Sequence, residues 1–286
     1  MGLIAVAPAL TGCLTHTRIV PKTRPADVVL NATLDQLLQQ VNTRFDSIQT
    51  INASVEIAAT TGGGLQGQVT EHPSFSGYIF LRKPEDLRVL LRVPFVGSVA
   101  LDMVSDGKNW TLWVPPHHLA MTGTSEVTKP SKNGLENLRP AVFFDALLVR
   151  GLGANQIVSL TSDMRIVENP KNKKDLIEEP DYDLEILEQP RGQTAHTVRV
   201  IHISRTTLLP YQQDIYDPDG NIVTRAFYSN YQSFNNIPFP MKIEIKRPLD
   251  QYSLTVITTK LALNQTLDDD QFELKIPDTV PIKAMD

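Results

Sequence analysis

The feature that most constrains this chain is a period-two alternation of apolar and polar side chains, repeated many times with a turn signal after each run. Ile51, Ala53, Val55 and Ile57 alternate with polar neighbours. Such spacing puts one strand face on a core and the other in solvent. Ser76–Arg82, Asp86–Val93, Ser98–Ser105, Trp110–Val114 and His118–Thr122 continue the pattern, divided by Lys83-Pro84-Glu85, Pro94 to Gly97, Asp106-Gly107 and Pro115-Pro116. Those dividers supply the fixed or positive φ that turns need. Strands resume at Asp163–Val167, Tyr182–Leu187, Thr197–Ser204, Pro210–Tyr216, Ile222–Tyr231, Lys242–Lys246 and Tyr252–Leu263. Short strands with few intervening helices predict a mainly β, antiparallel meander. With 286 residues, 41% of them hydrophobic, the chain is long and apolar enough to bury a substantial core.

Two segments break the alternation. Leu34, Leu37, Leu38, Val41, Phe45 and Ile48 recur at helical spacing, predicting a helix over 31–48 with Asn31 or Thr33 as its cap. Pro140 and Gly151 bracket a second helix, 140–150, containing Val142, Phe143, Phe144, Ala146, Leu147, Leu148 and Val149. A helix apolar nearly all round must be covered on most faces or face an oily ligand. The charged run Lys171–Glu179 reads as an exposed loop. Residues 28–286 show no internal repeat or compositional break and are read as one domain.

The N-terminus ends an apolar run in Leu10-Thr11-Gly12-Cys13. This resembles a bacterial lipobox, in which a thiolate accepts a diacylglyceryl group and small residues admit a peptidase. The resemblance implies a signal peptide over 1–12, lipid attachment at Cys13 and a flexible tether over 13–27. The pattern departs in one respect, since no Lys or Arg precedes Arg18. A buried cysteine behind an ordinary apolar N-terminus is the alternative. Leu14 stands where an aspartate retains enterobacterial lipoproteins in the inner membrane, so the expected location is the periplasmic face of the outer membrane.

Function classes are narrowed by what the chain contains. The single cysteine, Cys13, excludes an internal disulfide and a cysteine-based metal site. Net charge is −5 with basic residues dispersed, which argues against a nucleic-acid partner. Gly-x-Ser-x-Gly, Walker-type loops and His-Glu-x-x-His do not occur. His117 and His118, read as strand neighbours, face opposite sides and do not share an ion. His72, His196 and His202 read as ordinary strand residues, and Asp268-Asp269-Asp270 as a solvated turn. The expectation is a monomer that is not an enzyme and holds no cofactor or metal.

Two stretches carry a family resemblance. The first is Phe75-Ser-Gly-Tyr-Ile-Phe-Leu-Arg-Lys-Pro84 followed by Val104-Ser-Asp-Gly-Lys-Asn-Trp-Thr-Leu-Trp-Val-Pro115. The second is Ile215-Tyr-Asp-Pro-Asp-Gly220, Ile237-Pro-Phe-Pro-Met-Lys-Ile243, Leu263-Asn264 and Phe272-Glu-Leu-Lys-Ile-Pro277. Together they resemble the LolA/LolB-like lipoprotein carriers over roughly 31–280. The resemblance implies a strongly curved antiparallel sheet, an incomplete barrel, with helices plugging its concave face. Leu38, Val41, Phe143, Phe144, Leu147 and Leu148 would then line a ligand cavity or its lid. Lys83 takes the position of an arginine that contacts the lid in soluble carriers. Leu90 to Leu101 is similar to the strand–loop–strand of the membrane-anchored acceptor, with Phe95 or Val96 at its protruding, membrane-inserting tip. The implied function is binding acyl chains of lipoproteins, or another lipid, for insertion in the outer membrane, with a soluble periplasmic carrier as donor. A lipid sensor or a structural envelope lipoprotein on the same fold is the alternative.

Overall fold

The computed structural model describes residues 17–63, 67–124, 137–169, 172–189 and 194–285. The expected signal peptide and Cys13 lie outside them. In chain order the elements begin with β1 (Thr23–Pro25), α1 (Leu34–Ser47), β2 (Thr50–Gly63), β3 (Gln68–Glu71), β4 (Phe75–Arg82) and β5 (Asp86–Arg92). Next come β6 (Val99–Ser105), β7 (Asn109–Val114), β8 (Leu119–Thr124), α2 (Pro140–Leu147), β9 (Gln156–Asn169) and β10 (Asn172–Glu188). The last are β11 (His196–Ser204), β12 (Pro210–Tyr216), β13 (Ile222–Phe234), β14 (Ile237–Arg247), β15 (Tyr252–Leu263) and β16 (Ile282–Met285).

All the strands join one curved sheet that does not close into a barrel. From β10 the order runs β11-β12-β13-β14-β15-β2-β4-β5-β6-β7-β8-β16, with β9 and β1 paired to β10 and β3 paired to β2. Nearly every pairing is antiparallel, as the alternation predicts. The exceptions are two short parallel pairs, β1 with β10 and β16 with β8. The first falls in the stretch expected as tether, where Thr23 Oγ1 also donates to Glu178 at 2.6 Å. The run Lys171–Glu179 is corrected from loop to strand from Asn172 onward. Its charges are tolerated because Glu178 is bonded to Thr23, and buried Glu179 to Arg165 and Thr206.

Both helices pack on the concave face. Thr33 caps α1, and its side chain and that of Gln36 satisfy each other's backbone N–H in a capping box. Leu37 and Val41 of α1 enter an apolar cluster with Leu184 and Ile186 of β10 and Ile201 and Ile203 of β11. Helix α2 enters a larger cluster built from β2, β4 to β8 and β13 to β15. Six of its eight residues are buried, as an all-round apolar helix requires. It stops at Leu147, earlier than Gly151, because Leu148 turns extended and is itself buried in the cluster.

Strands β4 and β5 approach closely at Gly77 of β4. A Cβ there would stand 1.9 Å from the Leu90 carbonyl oxygen and 2.9 Å from Leu91 Cα, both backbone atoms of β5. Only glycine allows this approach. Gly77→Ala is expected to cost about 3 kcal/mol, lowering Tm by roughly 6–12 °C for a chain of this size. A thermal melt that shifts by less than about 2 °C would show that the sheet relaxes freely at this point.

Candidate functional site

Between α2 and the strands lies an apolar cavity of about 530 Å³. Its walls come from inward positions of several strands, among them Ile57 and Ala59 of β2, Leu91 of β5, Leu101 of β6, Leu112 of β7 and Leu254 of β15. Phe143 of α2 and Leu138 just before it close the helix side. Among the described residues that line it, His72 and His117 are the only ones with ionisable side chains. The His72 ring is oriented by Thr61, whose Oγ1 lies 2.9 Å from Nε2. His117 ends a 3-10 turn, Pro115–His117, rather than lying on a strand. His118 follows in a left-handed conformation and reaches the Thr279 carbonyl instead, at 3.2 Å.

Strand register fixes which end of the sheet the cavity addresses. Ile57 pairs Phe75, Ser76 pairs Arg92, Arg92 pairs Val99, and Val114 pairs Leu119. The β5–β6 tip, the β7–β8 turn and His72 therefore share one end. Tyr252 pairs Thr61, which brings the β14–β15 turn there too. At this end Phe95 is fully exposed, with Val96, Val69, Leu249 and Ile282 also exposed. The β5–β6 tip is closed by Val93 N–H to the Ser98 carbonyl at 2.8 Å and Gly97 N–H to the Val93 carbonyl at 3.0 Å. Phe95 sits at φ 64°, a strained region for an aromatic residue. The opposite end carries Lys83-Pro84-Glu85, Asp106-Gly107-Lys108 and Asn235-Asn236 at its turns. Around the cavity, exposed apolar side chains at the turns thus collect at the end where it meets its two histidines, while Val28, Val29, Leu30, Met164 and Ile166 are exposed elsewhere.

The sequence-predicted site residues divide between several places. Phe143 lines the cavity. Phe144, Leu147 and Leu148 are buried in the surrounding cluster, the two leucines facing Phe45 and Tyr228 across a narrow gap. Leu38 and Val41 pack on the β10–β11 cluster and do not reach the cavity. Lys83 turns to α1 rather than α2. Its ammonium donates to the Phe45 carbonyl and lies 3.6 Å from the centre of the Phe45 ring. Burial there pulls its pKa down, aided by Arg150 and opposed by Asp46. Helix α2 is held by other groups. Gln213 Nε2 donates to the Asp145 carbonyl at 3.0 Å, and the Arg139 guanidinium lies 4.7 Å from the Trp110 ring centre. Burial raises the Asp145 pKa against the pull of Arg150 and Arg199.

A larger, more open hollow of about 730 Å³ runs along α1, where Gln36, Gln39, Gln40, Arg44 and Asn236 mix with Leu208, Leu209, Ile237 and Pro238, so its wall is more polar than that of the cavity. On the other face of the sheet a polar row crosses four strands. His202 Nδ1 lies 2.6 Å from Asp183, His202 Nε2 3.7 Å from Asp214, and Arg225 donates twice to Asp214 at 2.7 Å. These contacts bind β10 to β13 together, although His202 Nε2 is buried and stops short of a hydrogen bond to Asp214. Among the described residues no group of three or more His, Cys, Asp or Glu is arranged to hold a metal ion. None of the helices there is long and apolar enough to cross a membrane.

Comparisons with solved structures agree with this architecture. A LolA superfamily protein from Nitrosomonas europaea superposes with TM-score 0.50 at 14% identity, covering 83% of this chain and 97% of that one. A DUF1329 family protein from Desulfovibrio piger superposes with TM-score 0.50 at 18% identity, covering 83% and 94%. A family model described as an uncharacterized protein matches residues 165–276. No curated protein matches. The chain has a LolA/LolB-like fold: a large curved sheet, open along its edges, with two helices on the inner face.

Proposed function

We propose that this protein is a lipid-anchored carrier or acceptor of the bacterial envelope. In this reading it holds acyl chains of lipoproteins, or another lipid, in its cavity and passes them to the outer membrane. Cys13 is the anchor, Phe95 and Val96 form the membrane-touching tip, and a soluble periplasmic carrier is the donor. The single domain 28–286 works as a monomer. The observation that carries the reading is an apolar cavity whose histidine-bearing end coincides with the exposed apolar tips. Moving an acyl chain through water costs about 0.8 kcal/mol per methylene, so shielding it needs only an oily hollow and a membrane-facing exit, not covalent chemistry. The Nitrosomonas protein's place in the LolA superfamily supports the same reading.

Native mass spectrometry of protein purified from an envelope fraction is expected to show bound lipid. Ala100→Trp, which puts an indole where a methyl group lines the cavity, is expected to remove at least nine-tenths of that lipid while the fold persists. An undiminished lipid load in this variant would place the ligand elsewhere, and a lipid-free wild type would favour the structural alternative.

A further inference from the structure

Resting on the lipid-binding reading, we infer that the cavity takes an amphiphile whose headgroup is anionic and is held at the end that carries His72 and His117.

The distribution of polar groups supplies the argument. Leu112, Met121 and Phe143 give the wall no partner for a buried charge, and a carboxylate placed among them would lose its hydration without compensation. His72 and His117 both line the cavity at one end, on segments that the register brings to the same end as the β5–β6 tip. An imidazole offers at least one N–H donor in either protonation state, and a hydrogen bond to a carboxylate is about twice as strong as one to a neutral acceptor. The contact between His72 and Thr61 holds one ring in place before a ligand arrives, which lowers the ordering cost of binding. The headgroup is thus set at the exit and the chain runs inward beneath α2. A free fatty acid and a lysophospholipid both present one chain behind an anionic group, and they are separated by the measurement below.

Isothermal titration is expected to show palmitate binding at least tenfold more tightly than methyl palmitate, which keeps the chain and removes the charge, to the same wild-type protein. A lysophosphatidylglycerol competing better than palmitate would assign the site to lysolipids, and the reverse to fatty acids, both consistent with an anionic headgroup. His72→Leu with His117→Leu is expected to erase the difference between palmitate and its methyl ester. Equal affinity for acid and ester, or a difference that survives the double substitution, would overturn the inference and leave the carrier reading standing. Failure of every one of these ligands to bind would sink both.

Discussion

Phe95→Glu combined with Val96→Glu is expected to abolish membrane association of the unlipidated protein without touching ligand binding. The anchor must first be removed, so the comparison is made on a Cys13→Ala background. Each side chain is exposed at a turn, where it gains nothing from the fold. Inserted into a lipid interface, each would contribute about 1.5–3 kcal/mol, or ~4 kcal/mol for the pair, which is roughly a thousandfold in partitioning. Two added carboxylates also repel an anionic surface. Flotation with phosphatidylethanolamine–phosphatidylglycerol vesicles reads the effect directly. Neither residue lines the cavity, so palmitate affinity is expected to stay within twofold of the parent. Val69, Leu249 and Ile282 stand at the same end on other segments, and single substitutions there are expected to weaken flotation by smaller factors. The tip hypothesis is lost if the doubly charged variant floats as well as its parent, and ligand loss in step with flotation would mean the loop shapes the cavity instead.

The strands were legible because their signal is local. The expected strands Pro210–Tyr216 and Tyr252–Leu263 match β12 and β15 in their bounds residue for residue. β1, β3 and β16 escaped because three or four residues cannot display a period, and their pairing is decided by distant strands. The charged opening of β10 was misleading for a related reason. Its partners, Thr23, Arg165 and Thr206, lie far away in sequence or across a turn. The cavity was only partly legible. Alternation tells which side of a strand is inward, but not whether the inward side meets a helix or a hollow. Leu184 and Leu112 read alike as inward strand residues, yet one lies in the β10–β11 cluster and the other lines the cavity. A signal did exist for the histidines. His72-Pro73 and Pro115-Pro116-His117 put a polar ring beside proline at strand ends, where a side chain can face a cavity without breaking a ladder.

The second large effect concerns stability, and lies in the polar row across β10 to β13. Asp214 is nearly fully buried and accepts two bonds from Arg225 while facing His202 at 3.7 Å. Asp214→Ala would leave the guanidinium and the imidazole without their shared counter-charge, and breaking a buried pair in this way costs ~3–5 kcal/mol. Asp214→Asn keeps an acceptor and the volume and is expected to cost less. The row also dictates a pH dependence. Burial by itself would lower the His202 pKa, but the carboxylates of Asp183 and Asp214 raise it from 6.5 to about 9. A raised cationic pKa stabilises the folded chain fully below about pH 6.5, and that contribution is lost as pH rises through about 9. For Asp214, burial pushes the carboxyl upward, while Arg225 and His202 bring it down from 3.8 to about 2. Its contribution is present above about pH 3.8 and lost as pH falls through about 2. Urea unfolding is therefore expected to give a plateau between about pH 4 and 6.5 and a decline on the alkaline side. His202→Gln should flatten the alkaline limb, because no group in the row then loses a proton there. A wild-type curve that stays level through about pH 9, with Asp214→Ala costing under about 1 kcal/mol, would mean that water already screens the row and that the four strands are held by their ladders alone.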